Sequence, residues 1–384
     1  MKNNIAMRLL SISMAMIVGL FSTTRSLEAQ AKPVWIYVGT YTQKEPHVDG
    51  KAEGIYIYEM NPSTGALTYV STSPKSVNPS YVVVHPNGKW LYAANETADG
   101  KVSAFTINRD SRKLEFINAV SSEGNSPCYV SVDQSGKFVM VANYGSGTIA
   151  LYPINEDGSL KEATSVVAHQ GKGPDSRQQG PHAHMIRTGN DSYVYAIDLG
   201  IDKVITYKID HQKLVKTSEY NTTAGAGPRH VDFHKNARWA YVVNELNGSI
   251  EACSIDAQTG ALKRMQVIST LPAGETRKAG CADIHITPSG KYLYATNRGE
   301  INNIAMYSVD QKSGMLKLIG HQSVKGRTPR SFLIDATGTF LLVANQDSDN
   351  IITFKINAED GKLTDTGIET KVPTPVCLRL DVAY

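Results

Sequence analysis

The chain has 384 residues, and its 39 lysines and arginines against 36 aspartates and glutamates give a formal charge of +3 at neutral pH. This small excess forms no basic run, which argues against nucleic acid or an anionic membrane as the partner. The four cysteines are too few for a disulfide framework, although one or two bridges stay possible in an exported protein: they are Cys128, Cys253, Cys281 and Cys377.

Residues 1–31 have the layout of a secretory signal peptide. Lys2 and Arg8 precede the apolar stretch LLSISMAMIVGLF, and the small-x-small sequence Ala29-Gln30-Ala31 follows it. The apolar stretch is too short to span a bilayer, and no later segment offers about 18 unbroken apolar residues. We therefore expect a mature protein of residues 32–384 that is periplasmic or secreted and has no membrane span.

An internal repeat organises the rest of the chain. Six similar stretches occur: NPSYVVVHPNGKWLYAANE, SPCYVSVDQSGKFVMVANY, GPHAHMIRTGNDSYVYAIDL, GPRHVDFHKNARWAYVVNE, GCADIHITPSGKYLYATNR and TPRSFLIDATGTFLLVANQ. Each predicts a strand, a hairpin turn and a second strand, and alternating segments for a third and fourth strand follow. The position just inside each first strand recurs every 47 to 54 residues, at Ser80, Cys128, His182, Arg229, Ala282 and Arg330.

A four-stranded unit of about fifty residues predicts propeller blades. VWIYVGTYT at residues 34–42 matches a second strand without a first, and TPVCLRL at residues 374–380 supplies one, with Val376 at the recurring position. The sequence therefore predicts an all-β, seven-bladed propeller as one domain, closed by pairing of the C-terminal strand into the N-terminal blade. Two β-sandwiches would not explain the regular period. Closure leaves no open sheet edge, so we expect a monomer.

Two rings of side chains should surround one mouth of this propeller, because first strands begin where second strands end. An Asn or Asp ends the second strand of nearly every blade, and this regular occurrence favours a turn-capping role for the residue. Five residues near the mouth instead break the repeat: His182, Arg229, Arg330, Glu245 and Arg298. Three guanidiniums around one opening are tolerated mainly where an anion or a carboxylate neutralises them. The pattern predicts an anion-binding pocket.

Several motifs resemble those of the seven-bladed propeller lactonases, a family that includes propeller-type 6-phosphogluconolactonases and carboxy-cis,cis-muconate cyclases. The specific ones are RQQGPHAH (177–184) and GAGPRHVDFH (225–234); VGTYT, VANYGSGTIALYPI, VVNEL and ATNRG are less specific. The resemblance covers essentially the whole mature chain. It implies opening of a lactone ring by water, with His182, Arg229, Glu245 and Arg298 as active-site residues.

The roles follow from the chemistry of the side chains. Arg229 and Arg298 are candidates to clamp the anionic substrate and the oxyanion, with Arg330 as a further substrate contact. His182 is a better base than Glu245 near neutral pH. His184 is a second substrate-binding candidate, although a structural histidine deeper in the channel is the alternative.

The polar loop HQGKGPDSRQQG (169–180) could fold over the mouth as a lid, with Arg177 and Gln178 reaching the ligand. A plain insertion between blades is the alternative. His182, His184 and Glu245 could also hold zinc, but the neighbouring arginines disfavour a cation, so we expect neither a metal nor another cofactor.

The export signal conflicts with a phosphorylated cytoplasmic substrate. We therefore expect a small anionic lactone or sugar acid as the partner, phosphorylated or not, with hydrolysis of an aldonolactone-like ester as the leading hypothesis. A non-catalytic propeller that binds an acidic sugar or a cell-envelope partner is the alternative. A muconate-type cycloisomerase is a third possibility.

Overall fold

A computed structural model describes residues 34–278 and 280–381. The expected signal peptide at residues 1–31 lies outside these ranges. Within them, no helix has the length and apolar character that a membrane crossing requires.

The described chain is built almost entirely of strands. The first ten are β1 (Val34–Thr40), β2 (Lys44–Glu45), β3 (Val48–Asp49), β4 (Tyr56–Met60), β5 (Leu67–Thr72), β6 (Pro79–Val84), β7 (Trp90–Asn95), β8 (Lys101–Asn108), β9 (Lys113–Ser121) and β10 (Pro127–Val132). The next ten are β11 (Phe138–Asn143), β12 (Thr148–Pro153), β13 (Ser165–Ala168), β14 (Ala183–Thr188), β15 (Val194–Asp198), β16 (Lys203–Asp210), β17 (Lys213–Asn221), β18 (Pro228–Phe233), β19 (Trp239–Asn244) and β20 (Ser249–Ile255).

The last ten are β21 (Leu262–Ser269), β22 (Cys281–Ile286), β23 (Tyr292–Asn297), β24 (Asn303–Val309), β25 (Leu316–Ser323), β26 (Pro329–Ile334), β27 (Phe340–Asn345), β28 (Asn350–Ile356), β29 (Leu363–Lys371) and β30 (Pro375–Leu380). Two single-turn 3₁₀ helices, Leu199–Ile201 and Gln346–Ser348, follow β15 and β27.

The strands form seven antiparallel four-stranded sheets, which are the blades, and one small hairpin, β2–β3. Blade 1 has the order β30-β1-β4-β5, and blades 2 to 7 take β6–β9, β10–β13, β14–β17, β18–β21, β22–β25 and β26–β29. In blade 1, Val38 pairs with Leu378 of the C-terminal strand. The predicted seven-bladed propeller and its mode of closure are thus confirmed.

Burial falls from the centre of the ring to its rim. All six residues of β19 are buried, because neighbouring blades cover both faces of that strand. The outermost strand β17 instead alternates, with Leu214 buried and Val215 46 % exposed. All four cysteines are buried thiols that form no disulfide.

Neighbouring blades are joined by a repeated contact between a glycine turn and an aromatic ring. Gly158 has a φ of 86°, and a Cβ added to it would lie 2.4 Å from the Trp90 ring of the preceding blade. The Tyr92 hydroxyl donates a hydrogen bond to the Gly158 carbonyl oxygen at 3.0 Å. Tyr241 and Gly314 repeat the hydrogen bond at 2.9 Å three blades further along the ring. Only glycine fits both this backbone conformation and the close contact.

A β-bulge near the start of each first strand turns one side chain out of the regular pleat. In blade 5, Pro228 pairs with Asn244 and His230 pairs with Val243, so Arg229 is the extra residue. In blade 4, Ala183 pairs with Asp198 and Met185 with Ile197, so the extra residue is His184. Bulges re-aim side chains and recur near active sites.

The blade 4 bulge corrects the predicted alignment. His182 was placed at the same repeat position as Arg229, but it lies before β14, and His184 holds the equivalent position. The two histidines therefore do not share one face of a regular strand. The hairpin turn of this blade has five residues between Thr188 and Val194, against six between Val132 and Val139 in blade 3. The turn is thus one residue shorter and not one longer, which moves the frame by two residues.

Candidate active site

The ends of the second strands form the rim of one propeller mouth. The Asn residues that end them donate hydrogen bonds to preceding backbone segments: Asn95 Nδ2 to Val77 O at 2.7 Å, and Asn297 Nδ2 to Thr270 O at 2.9 Å. In blade 4, Asp198 Oδ1 accepts from the His182 amide at 2.7 Å. These caps build the mouth and leave the next residue of each blade to line it.

A cavity of about 720 Å³ opens at this mouth. This is enough for a sugar-sized ligand. Four arginines line the cavity, namely Arg177, Arg229, Arg298 and Arg330. Three carboxylates also line it, namely Glu96, Glu245 and Asp347. Cationic groups outnumber anionic ones, so the cavity favours a ligand with negative charge.

Glu245 lies at the centre of an arginine clamp. Its Oε1 is 2.5 Å from Arg177 Nη1, and its Oε2 is 3.0 Å from Arg229 Nε and 2.9 Å from Arg298 Nη2. Burial alone would raise the pKa of this carboxyl, but the charges of Arg298, Arg229 and Arg177 outweigh burial and lower the pKa to about 2. Glu245 is therefore ionised at neutral pH and is a poor proton acceptor.

Arg229 is held from behind by a buried chain of polar groups. Its Nη1 donates to Ala282 O at 2.5 Å and lies 3.3 Å from His230 Nε2, while His230 Nδ1 donates to Asp283 at 2.8 Å. Its Nε faces Glu245 as an ion pair without hydrogen-bond alignment. Burial and the neighbouring Arg298 lower the pKa of Arg229 to about 10, so the guanidinium keeps its charge at neutral pH.

His184 lies beside Arg229 in the cavity wall. Its side chain is buried, and Nδ1 is 3.8 Å from the Cys128 thiol. Burial, and then the positive charges of Arg229 and other nearby groups, hold its pKa well below the usual range. The imidazole is therefore neutral, and its Nε2 makes no hydrogen bond to the described residues.

His182 lies behind Tyr144. The two rings stack with centroids 4.5 Å apart, and His182 Nδ1 donates to the Tyr144 carbonyl oxygen at 2.9 Å. Tyr144 lines the cavity, and the Arg177 guanidinium donates to its hydroxyl at 3.2 Å. His182 thus supports a wall residue through stacking, whereas His184 itself contributes to the wall.

The loop of residues 169–180 covers one side of the mouth. Gln178 is fully buried, and its Nε2 donates to Leu199 O and to Asp202 Oδ1, both at 2.7 Å. Gln178 was expected to reach a ligand, but its amide fastens the loop and its side chain does not line the cavity. Arg177, next to this anchor, extends over the cavity and pairs with Glu245.

On the opposite side of the cavity, Glu96 forms a second carboxylate site. Its Oε2 accepts from Ser80 Oγ at 2.6 Å and lies 3.7 Å from Arg330 Nη2. The Arg330 guanidinium is 5.3 Å from the centre of the Tyr41 ring. His47 completes this side of the cavity lining.

The zinc alternative needs three ligands in one place. Among the described residues, no group of three or more His, Cys, Asp or Glu side chains is arranged to hold a metal ion. In particular, Glu245 is paired with three arginines, and the ring of Tyr144 contacts both His182 and His184.

A family model described as lactonase, 7-bladed beta-propeller, matches residues 35–380. The chain belongs to the seven-bladed propeller lactonases. A 6-phosphogluconolactonase of Bacillus subtilis (strain 168) is 39 % identical over 346 residues, which cover 89 % of this chain and 97 % of that protein. As a lactonase, the protein is a carboxylic ester hydrolase with a small-molecule substrate.

Solved structures of similar lactonases have the same fold. A putative 6-phosphogluconolactonase from Bacteroides fragilis NCTC 9343 superposes with a TM-score of 0.84 at 34 % identity, over 92 % of this lactonase and 99 % of that chain. The periplasmic gluconolactonase PpgL of Pseudomonas aeruginosa gives a TM-score of 0.86 at 30 % identity, over 91 % and 99 %.

Proposed function

We propose that the protein hydrolyses a sugar-type lactone, 6-phosphogluconolactone-like or another aldonolactone, in the cavity around Glu245. The observation that carries the proposal is the arginine clamp. Glu245 forms ion pairs with Arg229 Nε and Arg298 Nη2. The remaining nitrogens, Arg229 Nη2 and Arg298 Nη1, make no hydrogen bond to the described residues. Two charge-assisted donors are therefore fixed and available to an oxygen anion.

In the proposed reaction, water attacks the ester carbonyl carbon and a base takes the water proton. The carbonyl oxygen becomes an oxyanion that accepts hydrogen bonds from Arg229 and Arg298. Collapse of this intermediate breaks the bond between the carbonyl carbon and the ring oxygen. The proton then passes from the base to the ring oxygen, which gives a hydroxy acid. The new carboxylic acid releases its proton to solvent, and the resulting carboxylate stays beside the arginines.

We assign the base to His184 in place of His182. His184 is neutral and borders the cavity beside Arg229, whereas His182 is covered by Tyr144. The low pKa of His184 makes it a weak base in the empty site. An oxyanion between Arg229 and Arg298 offsets the positive charges that lower this pKa, so the imidazole gains proton affinity as the reaction proceeds.

The remaining site residues bind substrate in this proposal. Arg177 approaches from the loop and Arg330 from the far wall, each able to contact an anionic group. Relatives named 6-phosphogluconolactonase and a neighbour named periplasmic gluconolactonase support both a phosphorylated and an unphosphorylated substrate. Because residues 1–31 predict export, we propose a periplasmic or secreted monomer that acts on an unphosphorylated lactone without a metal, and that binds no nucleic acid.

A pH-stat assay of the mature protein on a panel of lactones tests this function. We expect D-glucono-1,5-lactone to open well above its spontaneous rate, and activity to survive EDTA. His184→Gln should lower kcat about 10²–10⁴-fold, the usual contribution of a general base. The matched variant His182→Gln should lower it less, because that side chain acts only through Tyr144.

Three results would contradict parts of the proposal. Equal rates for wild type and His184→Gln, together with a large loss in His182→Gln, would restore His182 as the base. Saturable binding of gluconate without turnover of any lactone would favour the non-catalytic alternative. Formation of a lactone from an unsaturated dicarboxylate would indicate the cycloisomerase.

A further inference from the structure

One connection at the cavity mouth departs from the repeat. The link between second and third strands has 15 residues in blade 1, from 41 to 55, and only four or five in the other six blades. The extra residues form the hairpin β2–β3, and His47 lies in its turn. The other six blades show that the fold itself needs only the short link.

Several hydrogen bonds tie this hairpin to its surroundings. Asn78 Oδ1 accepts from the backbone amides of Thr42 and Gln43, both at 3.0 Å. At the other end, the Lys51 amide donates to Thr374 Oγ1 at 3.1 Å. The insertion is therefore fastened at both ends, between the start of blade 2 and the closing strand of blade 1, and the position of its turn is defined.

The turn brings His47 to the cavity opposite the arginine clamp. His47 Nε2 is 3.3 Å from the Tyr41 hydroxyl and 3.9 Å from Glu96 Oε1. The Tyr41 and His47 rings meet edge to face with centroids 5.4 Å apart. We name His47, Tyr41, Glu96 and Arg330 the hairpin wall. The His47 side chain is 52 % exposed, so it is accessible to a ligand without movement of the hairpin.

The hairpin wall and the arginine clamp differ in charge. In the clamp, three arginines surround the single carboxylate of Glu245, which leaves an excess of positive charge for an anion. In the hairpin wall, Arg330 and Glu96 balance, and the other polar group that lines the cavity is the His47 imidazole, which the fully buried Tyr41 supports. A balanced set of hydrogen-bonding groups suits the uncharged, polar part of a ligand.

We propose that the hairpin wall binds the hydroxyl groups of the substrate and makes the enzyme select polyhydroxylated lactones. His47 Nε2 is used by the Tyr41 hydroxyl and is 3.9 Å from Glu96 Oε1, which exceeds hydrogen-bond length. His47 Nδ1 makes no hydrogen bond to the described residues, so this nitrogen and the Glu96 carboxylate can both bond to hydroxyls placed against them. The carboxylate accepts the hydroxyl hydrogen, and the imidazole bonds to the same or the adjacent hydroxyl. This inference rests on the proposed lactone hydrolysis and adds the part of the substrate that is recognised.

The protonation state of His47 agrees with this role. Burial and the charge of Arg330 lower the pKa of His47, and they outweigh the opposing effect of Glu96. The imidazole is therefore neutral near pH 7, with one donor and one acceptor nitrogen, which suits a hydroxyl group better than an anion.

Paired substrates test the proposal. D-Glucono-1,5-lactone and δ-valerolactone share the six-membered ester ring, but only the first carries hydroxyls. For His47→Ala we expect kcat/KM to fall about tenfold with gluconolactone, the worth of one ordinary hydrogen bond. With δ-valerolactone it should stay within about twofold of wild type. His211→Asn, at a turn of blade 4 where the side chain is 94 % exposed, is the control and should change neither value.

An equal loss on both lactones, or no loss on either, overturns the proposal. The wall can also be tested apart from turnover, by calorimetric binding of gluconate and hexanoate. His47→Ala should weaken the binding of gluconate about tenfold and leave the binding of hexanoate unchanged. If wild type and variant bound gluconate equally well, the hairpin wall would not bind hydroxyl groups, even if no lactone is hydrolysed. Absence of hydrolysis with this binding pattern intact would refute only the proposed reaction.

Discussion

Glu96 and Glu245 follow the terminal Asn of the second strand in blades 2 and 5, yet their surroundings differ. Arg177, Arg229 and Arg298 contact Glu245. Glu96 instead accepts a hydrogen bond from Ser80, and Arg330 and His47 lie further away from it. The repeat thus determines where the glutamate side chain lies in each blade. Neighbouring residues that do not belong to the repeat determine its charge environment. One propeller mouth can therefore hold an anion on one side and a neutral polar group on the other.

Substitution of Arg229 should cause the largest losses of activity and stability, because it removes part of the charge that distinguishes the surroundings of Glu245 from those of Glu96. Arg229→Met removes an oxyanion donor and one partner of the ionised Glu245. We expect kcat for gluconolactone to fall about 10²–10³-fold. The free energy of unfolding should fall by about 3–5 kcal/mol, because a buried charge loses a partner. Steady-state kinetics and urea unfolding measure the two effects.

The control for Arg229→Met is Arg238→Met, in the same blade but stacked on Trp239 near the surface. It loses the same charge and should leave kcat unchanged. Similar kcat losses in both variants would mean that general charge, and not the clamp, supports the reaction.

Glu245 should make the stability of the protein depend on pH. The pKa of Glu245 is lowered to about 2 in the folded protein, from a usual value of 4.5. The ionised form therefore stabilises the fold above about pH 4.5, by about 3 kcal/mol, and this stabilisation is lost as the pH falls towards 2. Urea unfolding of wild type and Glu245→Gln should show a difference at pH 7 that shrinks over this range.

Glu96→Gln provides the comparison, because its amide oxygen can still accept from Ser80. We expect it to cost only about 1 kcal/mol at pH 7, typical of one weakened hydrogen bond. If it destabilised the protein as much as Glu245→Gln does, the clamp would not be what distinguishes the two carboxylates.

Removal of Arg177 should have the smallest effect. Its side chain is half exposed, so its ion pair with Glu245 contributes at most about 1 kcal/mol. We expect Arg177→Ala to raise KM for gluconolactone up to about fivefold, in line with that energy, with little change in kcat. Lys172→Ala in the same loop removes an equal charge outside the cavity lining, and a matching rise in KM there would argue against a specific contact.

The repeat predicted the blades, their number and the closure of the ring, because each blade carries its own turn and strand signals. It also placed Arg229, Glu245, Arg298 and Arg330 at one mouth. Prediction failed where local irregularities intervene. The hairpin turn of blade 4 is one residue shorter than that of blade 3, so the alignment placed His182 where His184 belongs. A β-bulge, which sequence does not reveal directly, decides which side chain enters the cavity.

Other features depend on contacts between segments distant in the chain. The burial of Gln178 follows from its hydrogen bonds to Leu199 and Asp202, which no motif within the loop indicates. The hairpin with His47 left a sequence signal, a link three times longer than its equivalents, but its contact with Glu96 of the next blade required the structure.

A crystal structure of the protein with D-gluconate tests the central claim most directly. The account predicts the carboxylate between Arg229 and Arg298, with hydroxyls directed at Glu96 and His47. Gluconate bound instead in the separate groove of about 600 Å³ lined by Phe138 and Tyr193, with the cavity around Glu245 free of it, would contradict the account.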